Sequence, residues 1–191
     1  MPQRVHEPAQ PDVPTPSPAG GTRSRWLALA TIALGVSLII MDATIVNVAL
    51  PVVIRDLGLT ASQAEWLNAS YALVFAALLL TVGRLGDIRG RRRVFALGMV
   101  IFMVASVGAG AAQSGDLLIA ARVIQGIGAA FILPTTLSSM NALFRGRERA
   151  IAFAVYGSTI GGMAAVGPLV GGWLATDVSW RWAFWLNIPF G

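Results

Sequence analysis

Apolar residues in this chain come in runs too long for the core of a soluble domain. Five stretches, roughly residues 26–50, 66–83, 94–112, 117–140 and 150–174, carry only Asp42 and Arg122 as charges between them. A sixth begins near Ala183 and runs to Gly191. A helix rises about 1.5 Å per residue, so about 20 residues cross the hydrocarbon of a bilayer. The hydrophobic content of 55%, the charged content of 12% and the mean hydropathy of +0.69 agree with a membrane solvent. The expected fold class is an all-α integral membrane bundle, with five complete transmembrane helices and the start of a sixth.

Residues 1–25 hold six prolines and almost no large apolar side chain. They cannot bury enough surface to offset chain entropy, and a disordered tail is expected there. The run after Trp26 is too long for the apolar region of a secretory signal and shows no cleavage site, so it reads as a first span. Residues 26–191 then form the transmembrane domain.

Arginine placement fixes an expected orientation, because positive side chains are retained on the cytoplasmic face. The tail, the second loop and the fourth loop carry eleven: Arg4, Arg23, Arg25, Arg84, Arg89, Arg91, Arg92, Arg93, Arg145, Arg147 and Arg149. The opposite side carries only Arg55 and Arg181. The N-terminus is therefore expected in the cytoplasm of a cell whose cytoplasmic membrane holds the protein. Trp66, Trp180, Trp182 and Trp185 then fall at the outer interface, which suits amphipathic rings. The net charge of +5 is explained by this topology, and nucleic acid is not an expected partner.

The chain lacks cysteine, and its one histidine, His6, lies in the tail. No metal-ligand cluster, phosphate-cradling glycine loop or nucleophile with a base is present. The expectation is no enzyme, no catalytic residue, no metal and no cofactor; the bilayer is the first partner.

Between the second and third runs stands GRLGDIRGRRRVF, residues 83–95. Topology accounts for its arginines but not for Asp87, nor for Gly83, Gly86 and Gly90. Glycines at helix ends permit close approach, and Asp87 is placed to cap a neighbouring helix N-terminus. In the first span Asp42 lies deep in apolar sequence, where a carboxylate costs about 2.5–3.5 kcal/mol and usually faces a cavity or a partner. A position near enough to the outer surface to stay hydrated is the alternative. In the fourth span, steps of three and four place Arg122, Gln125, Gly126 and Ala129 on one helix face. A buried arginine stays charged, so its field favours the ionised form of a nearby carboxylate, unless it is simply held by backbone carbonyls. In the fifth span Gly157 and Gly161, and Gly167 and Gly171, have small-xxx-small spacing, and Pro168 is expected to bend the helix. Asn47, Asn68, Tyr71 and Gln125 are polar enough to line a cavity. Tyr71 offers a ring face to an aromatic or cationic molecule, though packing serves as well. Glu148 is expected to pair with Arg91 or Arg92.

These motifs together resemble those of the major facilitator superfamily. Gly83, Leu85, Asp87, Gly90, Arg91 and Arg92 are similar to its loop between spans two and three, with Ile88 where the family often has arginine. Arg122, Gln125, Gly126, Gly128, Ala129 and Ala130 resemble its fourth-span pattern. MDATIVNVALP, residues 41–51, resembles the first span of the fourteen-span drug:proton antiporters. Gly167, Pro168, Gly171 and Gly172 resemble the core of their antiporter motif, with Met163 in place of its leading glycine. WRWAFWLNIPFG, residues 180–191, is similar to their approach to span six.

The resemblance implies proton-coupled efflux of small, amphipathic, drug-like molecules by alternating access, with the bilayer, protons and a C-terminal bundle as partners. It implies Asp42 as the proton-coupling carboxylate, Arg122 as its tuning partner, the Asp87 segment as a gating loop, and the Gly167–Pro168 bend as a hinge or seal. If 191 residues were the whole product, no transport would be expected. A metabolite or sugar transporter of the same superfamily, and a non-transporting membrane protein or partner subunit, are the alternatives.

Overall fold

In the computed structural model, residues 21–189 are described, and no strand occurs among them. The proline-rich residues up to 20, His6 included, lie outside the described residues, as do Phe190 and Gly191. Five long helices succeed one another: α1 (Thr22–Leu57), α2 (Ala61–Arg89), α3 (Arg91–Gly110), α4 (Gly115–Leu143) and α5 (Gly146–Trp173). A five-residue π turn, Leu174–Val178, leads to a short α6 (Trp182–Trp185). All five long helices are long and apolar enough to cross a membrane.

The helices overrun the apolar runs at most ends. α1 has 36 residues and is about 54 Å long, well beyond the hydrocarbon thickness. It starts at Thr22, inside the segment read as tail, because arginines and threonine continue a helix into the headgroup region as readily as an apolar residue does. Past α6 the chain turns through Pro189, so only the approach to a sixth span is described.

Local sequence sets the ends. Gly58, at φ 61°, closes α1, its N–H bonding the carbonyl of Ile54. Thr60 and Gln63 form a reciprocal capping box on α2: the Gln63 N–H donates to Thr60 Oγ1 at 3.2 Å, and the Thr60 N–H donates to Gln63 Oε1 at 3.1 Å. Ser114 caps α4 by accepting from the Leu117 N–H. Gln63 Nε2 also donates to Asp116 Oδ1 at 2.8 Å, tying the N-terminal ends of α2 and α4 together.

The arginine-rich segment is not a loop. α2 continues to Arg89, α3 starts at Arg91, and Gly90 alone breaks the path at φ 93°, a conformation side chains rarely adopt. α5 runs without interruption through Pro168, and its first irregularity is the π turn beginning six residues later, at Leu174.

α4 lies between α2 and α3, and α1 lies along α5. Glycine sets the first contact: a Cβ on Gly128 would sit 2.7 Å from the backbone nitrogen of Phe102, so α3 and α4 touch backbone to backbone. On the lipid side and toward any partner, α2, α3 and α5 expose apolar residues such as Leu73, Leu80, Val104, Leu169 and Trp173. In water this would drive aggregation; in a bilayer it is solvated. Trp66 and Trp182 are exposed, as an interface position requires. Trp180 is not: it is buried and donates its Nε1–H to Asp56 Oδ2 at 2.7 Å, because Arg181 and Asp56 clasp this turn against α1.

A buried charge cluster as candidate functional site

Asp42 on α1 is wholly buried, which excludes the hydrated position near the outer surface. Its Oδ2 accepts from Arg122 Nη1 on α4 at 2.5 Å. Its Oδ1 accepts from Gln125 Nε2 at 3.2 Å and from Asn187 Nδ2, two residues past α6, at 3.1 Å. Ser106 on α3 completes the cluster, its Oγ accepting from Gln125 Nε2 at 2.8 Å and Asn187 Nδ2 at 3.1 Å. Residues of α1, α3, α4 and the turn after α6 thus meet in one cluster, with α4 and that turn donating to the carboxylate itself.

The one-turn spacing of Arg122 and Gln125 makes this possible. Arg122 Nη1 also donates to Gln125 Oε1 at 2.9 Å, which turns the amide nitrogen toward Asp42 and Ser106. Gly126, on the same face, lets α2 come close: a Cβ there would stand 2.7 Å from the carbonyl oxygen of Tyr71. That approach slides the Tyr71 ring under the guanidinium, with Cζ 4.2 Å from the ring centroid. The ring face expected to greet a ligand is therefore occupied by Arg122.

Two charges in a low-dielectric interior each cost several kcal/mol, and only close pairing with further hydrogen bonds offsets this. Both oxygens of Asp42 are satisfied. Arg122 Nε, the Tyr71 hydroxyl and Asn187 Oδ1 are buried without a partner among the described residues. The carboxylate is thus fully satisfied by its neighbours, while these three polar atoms of the residues that surround the pair are not.

The other expected site residues fall elsewhere. Gln125 is part of the buried cluster rather than a cavity wall, since its amide is consumed by Asp42 and Ser106. Asn47 is exposed and accepts from Asn68 Nδ2 at 2.8 Å on the opposite side of α1. Asp87 does not cap α3: its Oδ1 accepts from the side chain of Arg91 at 3.1 Å, and Arg91 Nη1 donates to the carbonyl of Ser138 on α4 at 2.8 Å. Arg92 is exposed and makes no ion pair among the described residues. Gly83 and Gly86 rest over Pro134 and Thr135 of α4. Glu148 pairs with Arg25 at 2.7 Å, not with Arg91 or Arg92, because α1 and α5 lie side by side while α3 is beyond α4. Gly167 and Gly171 press on Thr44 and Ile45 of α1, one turn from Asp42, and Gly172 meets Val48. Gly157 and Gly161 meet nothing within 4 Å among the described residues. Ser106 and Asn187 carry the cluster although neither stands out in the sequence.

Residues 32–191 match the family described as the Major Facilitator Superfamily. The chain belongs to the major facilitator superfamily. Its curated relatives include the puromycin resistance protein of Streptomyces alboniger, 44% identical over 180 residues that make up 93% of this chain and 36% of the relative. Multidrug transporter protein MdtP of Bacillus subtilis is 34% identical across 92% of this chain and 32% of its own length. The tetracenomycin C resistance and export protein of Streptomyces glaucescens is 34% identical across 92% and 33%. The chain therefore spans about a third of these relatives. A bacterial homolog of the human lysosomal transporter Spinster, solved in an inward-facing and unoccupied conformation, superposes with a TM-score of 0.73 at 22% identity, over 90% of this chain and 41% of that one. The fold is that of the N-terminal half of a major facilitator protein, a family of multi-pass membrane transporters and not of enzymes.

Proposed function

We propose that this chain is the N-terminal bundle of a proton-driven exporter of drug-like molecules in the cytoplasmic membrane, with its N-terminus inside. The observation that carries the reading is the fully buried Asp42 held by Arg122 between α1 and α4. The relatives' resistance and export names support efflux, and the arginine asymmetry supports the orientation. A fourteen-span whole is the architecture the motifs imply.

The chemistry rests on charge. With Asp42 ionised, Arg122 has its counter-ion and α1 is tied to α4. A proton arriving on Asp42 removes that counter-ion and leaves a buried guanidinium unpaired, which biases the bundle toward another arrangement. Inward proton movement supplies about 2.3 kcal/mol per charge per 100 mV, before any pH difference. Rocking of the two bundles about a midplane site would convert that into export. The Asp87–Arg91–Ser138 clasp at the cytoplasmic end serves as the gate, and Gly167, Pro168, Gly171 and Gly172 seal α5 onto α1 beside the carboxylate.

The test uses the full-length protein in everted vesicles. Asp42→Asn abolishes efflux driven by a pH gradient while expression persists; retained pH-driven efflux sinks the coupling role. Dye efflux competed by a sugar or peptide, rather than by cationic drugs, would move the reading to a metabolite carrier.

A further inference from the structure

Asn187 belongs to none of the long spans, yet it is wholly buried and its amide reaches the centre of the cluster. Nδ2 donates twice, to Asp42 Oδ1 and to Ser106 Oγ, while Oδ1 has no partner among the described residues. An ionised carboxylate explains this orientation, since it only accepts hydrogen bonds and would repel the amide oxygen. A protonated carboxyl reverses the requirement. It carries an O–H that needs an acceptor, and Asn187 Oδ1, buried without a partner among the described residues, is one that the same amide supplies by turning over.

We propose that Asn187 is a positioning residue that reads the charge on Asp42 and passes it to the start of the sixth span. With Asp42 ionised, the amide nitrogen faces the carboxylate. With Asp42 protonated, the amide turns over, Oδ1 accepts the carboxyl O–H, and the bond to Ser106 is released. The rotation gives Oδ1 the donor it lacks in the ionised state, and it costs the two bonds that Nδ2 makes there, to Asp42 and to Ser106.

The lever is short. The Asn187 backbone N–H donates to the Phe184 carbonyl at 3.1 Å, so the residue sits in the turn that continues α6. Phe184 is buried against α1 and α4 residues, and Trp185 fills the space beside Gly110 at the end of α3. Rotation at Asn187 therefore moves a turn packed against three spans. The charged and titratable groups facing Asp42 are Arg122 from α4 and, beneath it, Tyr71 from α2. α3 and the segment after α6 present only the Ser106 hydroxyl and the Asn187 amide.

The inference rests on the coupling role of Asp42, and its test separates the two. In a cysteine-free background of the full-length protein, Ile188→Cys places a thiol on an exposed position beside Asn187. The rate of its reaction with an impermeant maleimide is followed against pH in liposomes. The rate should titrate with pH, become flat in Asp42→Asn, and lose most of its pH dependence in Asn187→Leu. Ser106→Ala should move the midpoint of the labelling profile upward, because it removes the acceptor that holds Asn187 Nδ2 in the orientation facing an ionised carboxylate. A flat rate in the parent, a parent-like profile in Asn187→Leu, or an unmoved midpoint in Ser106→Ala each overturns the proposal. Loss of efflux in Asp42→Asn together with a parent-like profile in Asn187→Leu leaves coupling in place and removes the sensor. Retained efflux in Asp42→Asn with flat labelling removes coupling and leaves the sensor.

Discussion

Arg122 and Asp42 face each other with 2% and 0% of their side chains exposed, so neither charge can turn to water if the other is lost. Breaking such a pair from one side costs about 3–5 kcal/mol, whereas removing both partners is often close to neutral. Arg122→Gln should therefore lower the unfolding midpoint of the full-length protein in detergent sharply. The double variant Asp42→Asn with Arg122→Gln should recover most of the loss. A double variant as unstable as Arg122→Gln alone would assign the effect to packing rather than charge.

Gly126 sets the geometry of that pair indirectly. An added Cβ would meet the carbonyl oxygen of Tyr71 at 2.7 Å and its Cα at 3.3 Å, and neither atom can yield without moving α2. Gly126→Ala should cost about 1–3 kcal/mol, as overpacking does, and draw the Tyr71 ring from beneath Arg122. Gly108→Ala, where nothing among the described residues lies within 4 Å, should instead gain up to about 1 kcal/mol through lower chain entropy in the unfolded state. Thermal unfolding of the two variants should move in opposite directions.

The architecture is legible in the sequence because a bilayer imposes a minimum apolar length on every span. Asp42 and Arg122 are legible because each is a lone charge in apolar sequence. Ser106 is not, since a hydroxyl in a helix usually bonds its own backbone, as Ser37 does with the Ala33 carbonyl at 2.7 Å. Asn187 is hidden because its position depends on how the chain turns after the π segment, which no periodicity encodes. The partner of Glu148 escapes the sequence for a related reason. Many arginines share this end of the bundle, and only the packing of α1 on α5 selects Arg25.

Gly90 separates two long helices by a single residue at φ 93° and ψ 122°. A side chain there costs about 1–3 kcal/mol of backbone strain. Gly90→Ala should loosen the Asp87–Arg91–Ser138 clasp and fray the helix ends that carry the exposed Arg89, Arg92 and Arg93, opening their peptide bonds to trypsin in inside-out vesicles. Cleavage that tracks the open population should quicken at least about fivefold. An unchanged cleavage rate would mean that the junction adopts another path without strain.

Arg25 and Glu148 join the N-terminal ends of α1 and α5 at 2.7 Å, with Arg25 mostly covered and Glu148 44% exposed. Arg25 also donates to the Leu143 carbonyl and lies over the Phe144 ring, so it is held in place whether or not Glu148 is charged. Solvent screening on the Glu148 side limits the pair to about 1 kcal/mol or less. A double-mutant cycle of Arg25→Gln and Glu148→Gln on thermal stability should show a coupling of that size. The matching cycle with Arg91→Gln should show none, because Arg91 is committed to Asp87 and Ser138. Coupling of Glu148 to Arg91 in place of Arg25 would mean that α5 packs beside α3 in the assembled transporter, and the order of helices around α4 would have to be redrawn.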